Sequence, residues 1–128
     1  MIPNIVHIFA CFYGATAVIL GAMGAHWLKT KLDSLQIESF KTGVQYQMMH
    51  AILLLVLARH AEKLAGSLYN SAVICIIVGV FLFCGSIYIL STKELLKVQS
   101  YDWLGPITPI GGMLLIIGWI LLGFVALK

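Results

Sequence analysis

The sequence predicts an all-α polytopic membrane protein: four transmembrane helices in an up-down bundle with short loops. Three observations carry this. Four apolar stretches, roughly residues 5–27, 38–58, 71–91 and 108–127, fill most of the 128 residues. A helix needs about 20 mostly apolar residues to cross a ~30 Å hydrocarbon slab. Charged residues make up only 10% of the chain, against about 25% in soluble domains. Mean hydropathy is +1.00, which leaves no polar segment long enough for a second, soluble unit. Residues 1–128 are therefore read as a single transmembrane domain.

The first span, Ile5–Trp27, carries small residues on one face: Ala10, Gly14, Ala17, Gly21, Gly24 and Ala25. Lipid gains nothing from a small residue, whereas a neighbouring helix can approach closely over one. Ala22-Met23-Gly24 resembles a signal-peptide cleavage site. No basic residue precedes the apolar stretch, and the stretch is too long for a signal core, so it is read as a retained span.

Leu28–Gly43 is the one sizeable polar stretch. Asp33 and Ser34 can cap a helix whose first turn holds Gln36 and Ile37. The expectation is an amphipathic segment running straight into the second span. The purely apolar run Ala51–Ala58 is too short to cross, so the span must start near residues 38–42. That places Gln45, Gln47 and His50 below the headgroups, where an unpaired polar group is costly. They are expected to face other helices.

The third span repeats the small face with Ala72, Cys75, Gly79 and Ser86, with Tyr88 on the opposite side. Tyr101 and Trp103 serve as interfacial anchors. In the fourth, Thr108 followed by Pro109 reads as an N-cap and first helical position. Gly111, Leu115, Gly118 and Leu122 share a face.

Loop charges set the orientation. Lys29, Lys31, Lys41, Lys93 and Lys97 belong to the first and third loops; Arg59, Lys63 and Lys128 belong to the other side. The excess favours both termini outside. The net charge of +3 comes with no basic run, so no nucleic-acid partner is expected. The expected partners are membrane lipids, a second copy of the chain, or other membrane proteins. Cys11, Cys75 and Cys84 all fall inside spans and read as packing residues.

An up-down order gathers the unusual residues toward one membrane face. They are His26; Gln45, Tyr46, Gln47 and His50; Ser86 and Tyr88; and Thr108, Gly111 and Gly112. His26, Gln47 and His50 can form a hydrogen-bonded clamp between the first two spans, or relay protons. The start of the fourth span, with Lys29, Lys31, Lys93 and Lys97 on the same side, suits a lipid headgroup. His7 and Cys11 stand at ligand spacing, but two ligands do not make a metal site. No catalytic constellation, metal or cofactor is expected. The leading function is non-enzymatic binding of a lipid, a small apolar ligand or a membrane partner. A small transporter or proton-coupled channel is the alternative, and a haem or quinone redox protein stands behind both.

Four motifs in order carry a resemblance. They are Gly21-Ala-Met-Gly-Ala-His26, Phe40-Lys-Thr-Gly-Val-Gln-Tyr-Gln-Met-Met-His-Ala51, Gly85-Ser-Ile-Tyr88 and Leu104-Gly-Pro-Ile-Thr-Pro-Ile-Gly-Gly112. Together they resemble the small membrane proteins grouped as domain of unknown function 423, over nearly the whole chain. The resemblance implies four transmembrane helices, a bacterial plasma membrane and no assigned reaction. Its histidine motifs match His26 and the Tyr46-Gln47-x-x-His50 pattern.

Overall fold

The computed structural model describes residues 2–64, 66–97 and 100–127, and all its regular structure is helical. The elements are α1 (Ile2–Ala25), α2 (Ser34–Leu64), α3 (Ser67–Ser91), the one-turn α4 (Lys93–Leu96) and α5 (Ile107–Val125). Short 3₁₀ turns at Leu28–Thr30 and Asp102–Leu104 shape the two longer connections. Lys128, one of the charges used to set the orientation, lies outside the described residues.

α2 starts where the sequence places it, and Asp33 is the reason. Its Oδ1 accepts the Gln36 N–H at 2.8 Å, while its own N–H donates to Gln36 Oε1 at 3.0 Å. This reciprocal pair is a capping box that satisfies two helix-end groups at once. Ile37 and Phe40 in the first turns are buried against Leu28 and Leu32, so the amphipathic segment belongs to α2 itself. Gly66 sets the turn into α3 with φ +156° and ψ 167°, a conformation essentially restricted to glycine.

α5 begins differently from the sequence expectation. Pro106 occupies the N-cap and Ile107 opens the helix, so Thr108 lies inside the first turn. Its hydroxyl is 2.6 Å from Ser86 Oγ of α3 and does not cap. Pro106 lacks an N–H, a loss that costs nothing at a helix start.

Consecutive long helices run antiparallel, and the glycines fix their register. Between α1 and α2, Gly24 faces Phe40, Gly21 faces Val44 and Gly14 faces Ala51. Between α2 and α3, Gly43 lies under the Tyr88 ring, and the Tyr69 hydroxyl donates to the Leu57 carbonyl at 2.8 Å. Between α3 and α5, Gly111 meets Phe83, Gly79 meets Leu115 and Gly118 meets Ile76. The last pair is the tightest. A Cβ on Gly111 would overlap the Phe83 amide nitrogen and lie 2.8 Å from its Cα. The glycines of the small faces read in the sequence lie in these contact seams, whereas Ala25 at the end of the first face is exposed. The principal packing pairs are α1 with α2, α2 with α3, and α3 with α5.

Val6, Ala10, Leu54, Ile76, Val80, Cys84 and Leu115 fill the shared core. Outward faces are strongly apolar: Ile8 is 67% exposed, Phe12 58% and Phe81 67%. Water would penalise such faces and lipid would not. Three segments, Asn4–Thr30, Ser67–Ser91 and Asp102–Val125, are long and apolar enough to cross a membrane. α2, at 31 residues, is long enough but is not among them, because Gln36, Glu38, Lys41, Gln45, Gln47 and His50 lower its hydropathy.

Candidate functional site

Two buried polar side chains of α2, Gln47 and His50, anchor two separate structures. The first is centred on Gln47, which is buried. Its Nε2 donates to the Tyr13 carbonyl at 2.9 Å and to Thr16 Oγ1 at 2.6 Å. Its Oε1 accepts the Tyr88 hydroxyl at 2.8 Å. The amide orientation is fixed, because the Tyr13 carbonyl can only accept and must therefore face the NH₂. Tyr13 adds a second crossing, its hydroxyl donating to the Ile77 carbonyl of α3 at 2.8 Å. One amide thus ties α1, α2 and α3 together near the middle of α1.

Tyr88 reaches this level because a helical side chain leans toward the N-terminus of its own helix. That direction carries it from the end of α3 down over Gly43. Its ring also packs on Phe40, 5.0 Å between centroids.

The second structure is centred on His50, 2% exposed. Its Nδ1 lies 2.7 Å from the Tyr46 carbonyl, and its Nε2 lies 3.2 Å from the Trp119 indole nitrogen of α5. A carbonyl only accepts and an indole N–H only donates. Both contacts are satisfied together by the neutral tautomer with its proton on Nδ1. The His50–Trp119 bond spans a gap, since α2 and α5 are not one of the principal packing pairs.

That gap is a groove of about 600 Å³. Tyr46 and Met49 of α2 form one wall, and Ile116, Trp119 and Ile120 of α5 form the other. Phe83 of α3 lies at its base, with its ring 4.9 Å from that of Tyr46. The volume is in the range of small-molecule sites, about 300–1,000 Å³. The lining is almost wholly apolar, with His50 and the Tyr46 hydroxyl as its polar points.

The ten residues expected in one cluster are therefore divided. Gln47 and Tyr88 share the first structure, while His50, Tyr46 and Gly112 line the groove. Ser86 and Thr108 bond to each other across α3 and α5, and Gly111 is the closest backbone approach between those helices. Gln45 is exposed beside Met48 and Met49 on the outside of α2. His26 is not brought to the others. α1 ends at Ala25, and His26 sits exposed in the turn beyond. The clamp expected between the first two spans is made by Tyr13 and Thr16 in its place.

Lys29, Lys31, Lys93 and Lys97 are all exposed at the end where α2 and α5 begin. Lys93 borders a crevice of about 430 Å³, but Asp33 and Glu94 line the same crevice. Trp119 was the residue sequence reasoning missed. Its signal was position: a tryptophan well inside a span, away from the interface, needs a partner for its N–H. Among the described residues, no group of three or more His, Cys, Asp or Glu is arranged to hold a metal ion.

The family described as protein of unknown function DUF423 matches residues 20–112, from the second half of α1 to the start of α5. The chain is 42% identical to UPF0382 membrane protein YwdK of Bacillus subtilis, over 88% of this chain and 87% of the relative. It is 40% identical to UPF0382 membrane protein SAB0533 of Staphylococcus aureus, over 83% and 81%. It is 31% identical to UPF0382 inner membrane protein YgdD of Escherichia coli, over 94% and 89%. No solved structure matches. With its apolar helices and these relatives, the chain is a membrane protein that belongs to the DUF423 family.

Proposed function

We propose that this is a non-enzymatic, four-span protein of the bacterial plasma membrane that holds a lipid chain or another small apolar molecule in the groove between α2 and α5. The groove carries the reading: about 600 Å³ of apolar space beside the bond from the half-exposed Trp119 to the buried His50. An occupant from the bilayer would enter sideways past Tyr46, Met49 and Ile120, all partly exposed. Both ring nitrogens of His50 are engaged, which weighs against a proton relay.

The fourth span is α2. Hydropathy counts Gln47 and His50 as if lipid had to solvate them. In this arrangement their polar atoms are bonded to α1, α3, α5 and α2's own backbone. A paired polar group does not carry the cost of an orphaned one. From Gly43 to Ala58 the helix then offers lipid Tyr46, Met49, Ile52, Leu55 and Val56, with Gln45, near the lysine-bearing end, the one exposed polar side chain. The lysine excess in the first and third loops favours that end in the cytoplasm and both termini outside.

Ile116→Trp tests the groove. Ile116 is 55% exposed on its rim, so a larger side chain fills groove space without entering the core. Losing about 60 Å² of apolar contact at ~25 cal/mol per Å² costs about 1.5 kcal/mol, roughly tenfold in occupancy. Mass spectrometry of the purified protein should show a molecule retained by the parent and by Met113→Trp, but depleted in Ile116→Trp. Equal retention by both variants would remove the groove as the site.

A further inference from the structure

A second crevice, of about 400 Å³, lies between α1 and α2 at the end of the molecule away from the lysine-bearing loops. Asn4 and His7 of α1 face Leu55, Ala58, Arg59 and Glu62 of α2 across it. The spacing on α2 is that of one helix stripe, as is the pair on α1. The crevice is therefore graded. Leu55 and Ala58 form its inner, apolar end, and the charged and polar side chains gather at its outer end.

Arg59 and Glu62 are opposite charges three residues apart, a spacing at which such side chains commonly pair. Here they do not. Among the described residues, none of Asn4, His7, Arg59 and Glu62 makes a side-chain hydrogen bond or an ion pair. His60, the neighbour of Arg59, differs: its Nδ1 is bonded to the Val56 carbonyl. A cation, an anion, an amide and an imidazole are thus left open around one cavity near the start of α1 and the end of α2.

We infer that this crevice binds a zwitterionic phospholipid whose headgroup joins a phosphate to a primary ammonium. Arg59 supplies forked N–H donors for the phosphate oxygens, with His7 and Asn4 as further donors. Glu62 accepts from the ammonium. An acyl chain continues over Leu55 and Ala58. The charge pattern selects among lipids. A glycerol headgroup brings the phosphate without the cation and leaves Glu62 facing an anion. A quaternary ammonium keeps the charge but has no N–H to donate to the Glu62 carboxylate. The site is separate from the groove at His50 and does not depend on it.

The test uses the full-length chain in neutral detergent with dihexanoyl forms of phosphatidylethanolamine, phosphatidylcholine and phosphatidylglycerol. Inorganic phosphate is the competitor, and bound lipid is read by native mass spectrometry. Phosphatidylethanolamine should bind tightest, and phosphate at equal concentration should not displace it. Arg59→Gln should weaken all three lipids by roughly tenfold to a hundredfold, the size expected for losing a charged hydrogen bond. Glu62→Gln should bring phosphatidylethanolamine and phosphatidylglycerol to similar affinity. Both positions are exposed, so the melting temperature of each variant should match the parent. Ile116→Trp should leave this binding unchanged, which separates it from the groove. Equal affinity of the parent for the three lipids would overturn the assignment, as would unaltered binding by Arg59→Gln. Displacement by phosphate alone would reduce the crevice to a simple anion site.

Discussion

Gly111→Leu is expected to be the most damaging single substitution in this chain, lowering stability by about 3 kcal/mol or more. The atoms that a side chain would meet are the Phe83 amide nitrogen and Cα, the latter at 2.8 Å. Backbone cannot rotate aside as the end of a side chain can. α3 and α5 would have to separate, and the losses would spread to Gly79 against Leu115 and Gly118 against Ile76. In a membrane that loss is serious, because helix association rests on close packing without a hydrophobic drive. Gly21→Leu should cost less, since Gly21 meets only a Val44 methyl group at 3.3 Å. Gly123→Ala should be neutral or gain up to about 1 kcal/mol from helix propensity, having no neighbour within 4 Å. Thermal melting of the three variants in one detergent checks the order.

Gln47→Leu should cost about 2–4 kcal/mol. It removes three hydrogen bonds, each worth roughly 0.6–1.7 kcal/mol between membrane helices. It also leaves the partly buried Tyr88 hydroxyl without its acceptor. A double-mutant cycle isolates the pair. Tyr88→Phe should be destabilising in the parent and nearly neutral in the Gln47→Leu background. Additive losses would mean that the two side chains act independently, against the 2.8 Å bond.

Length and apolarity made the helices legible, and Asp33 made the start of α2 legible. Small residues marked the seams, because burial at a helix crossing is what selects them. The need of Gln47 and His50 for partners could also be read, since both fall in an apolar stretch. The partners could not. Two of them, the carbonyls of Tyr13 and Tyr46, are backbone groups that every residue carries. Thr16 stands beside a stripe that reads as packing; its hydroxyl donates within α1 and accepts from Gln47 only once α2 is laid against α1. The level of His26 along the first span suggests a partner in the second, but α1 ends at Ala25 and the turn that follows leaves the ring exposed. Thr108 offered two uses for one hydroxyl, capping its own helix or bonding a neighbour. Pro106 took the cap position and left Thr108 to Ser86.

In the proposed topology α2 crosses the bilayer, although composition alone does not mark it as a span. Its two ends, at Ser34 and at Ser67 just beyond the turn, are exposed. A cysteine placed at each position in a background lacking Cys11, Cys75 and Cys84 can be probed in intact cells with a membrane-impermeant thiol reagent. Position 67 should label from outside, with position 34 protected until the membrane is permeabilised. Labelling of both positions from the same side would contradict it, and α2 would then lie along the membrane without crossing it.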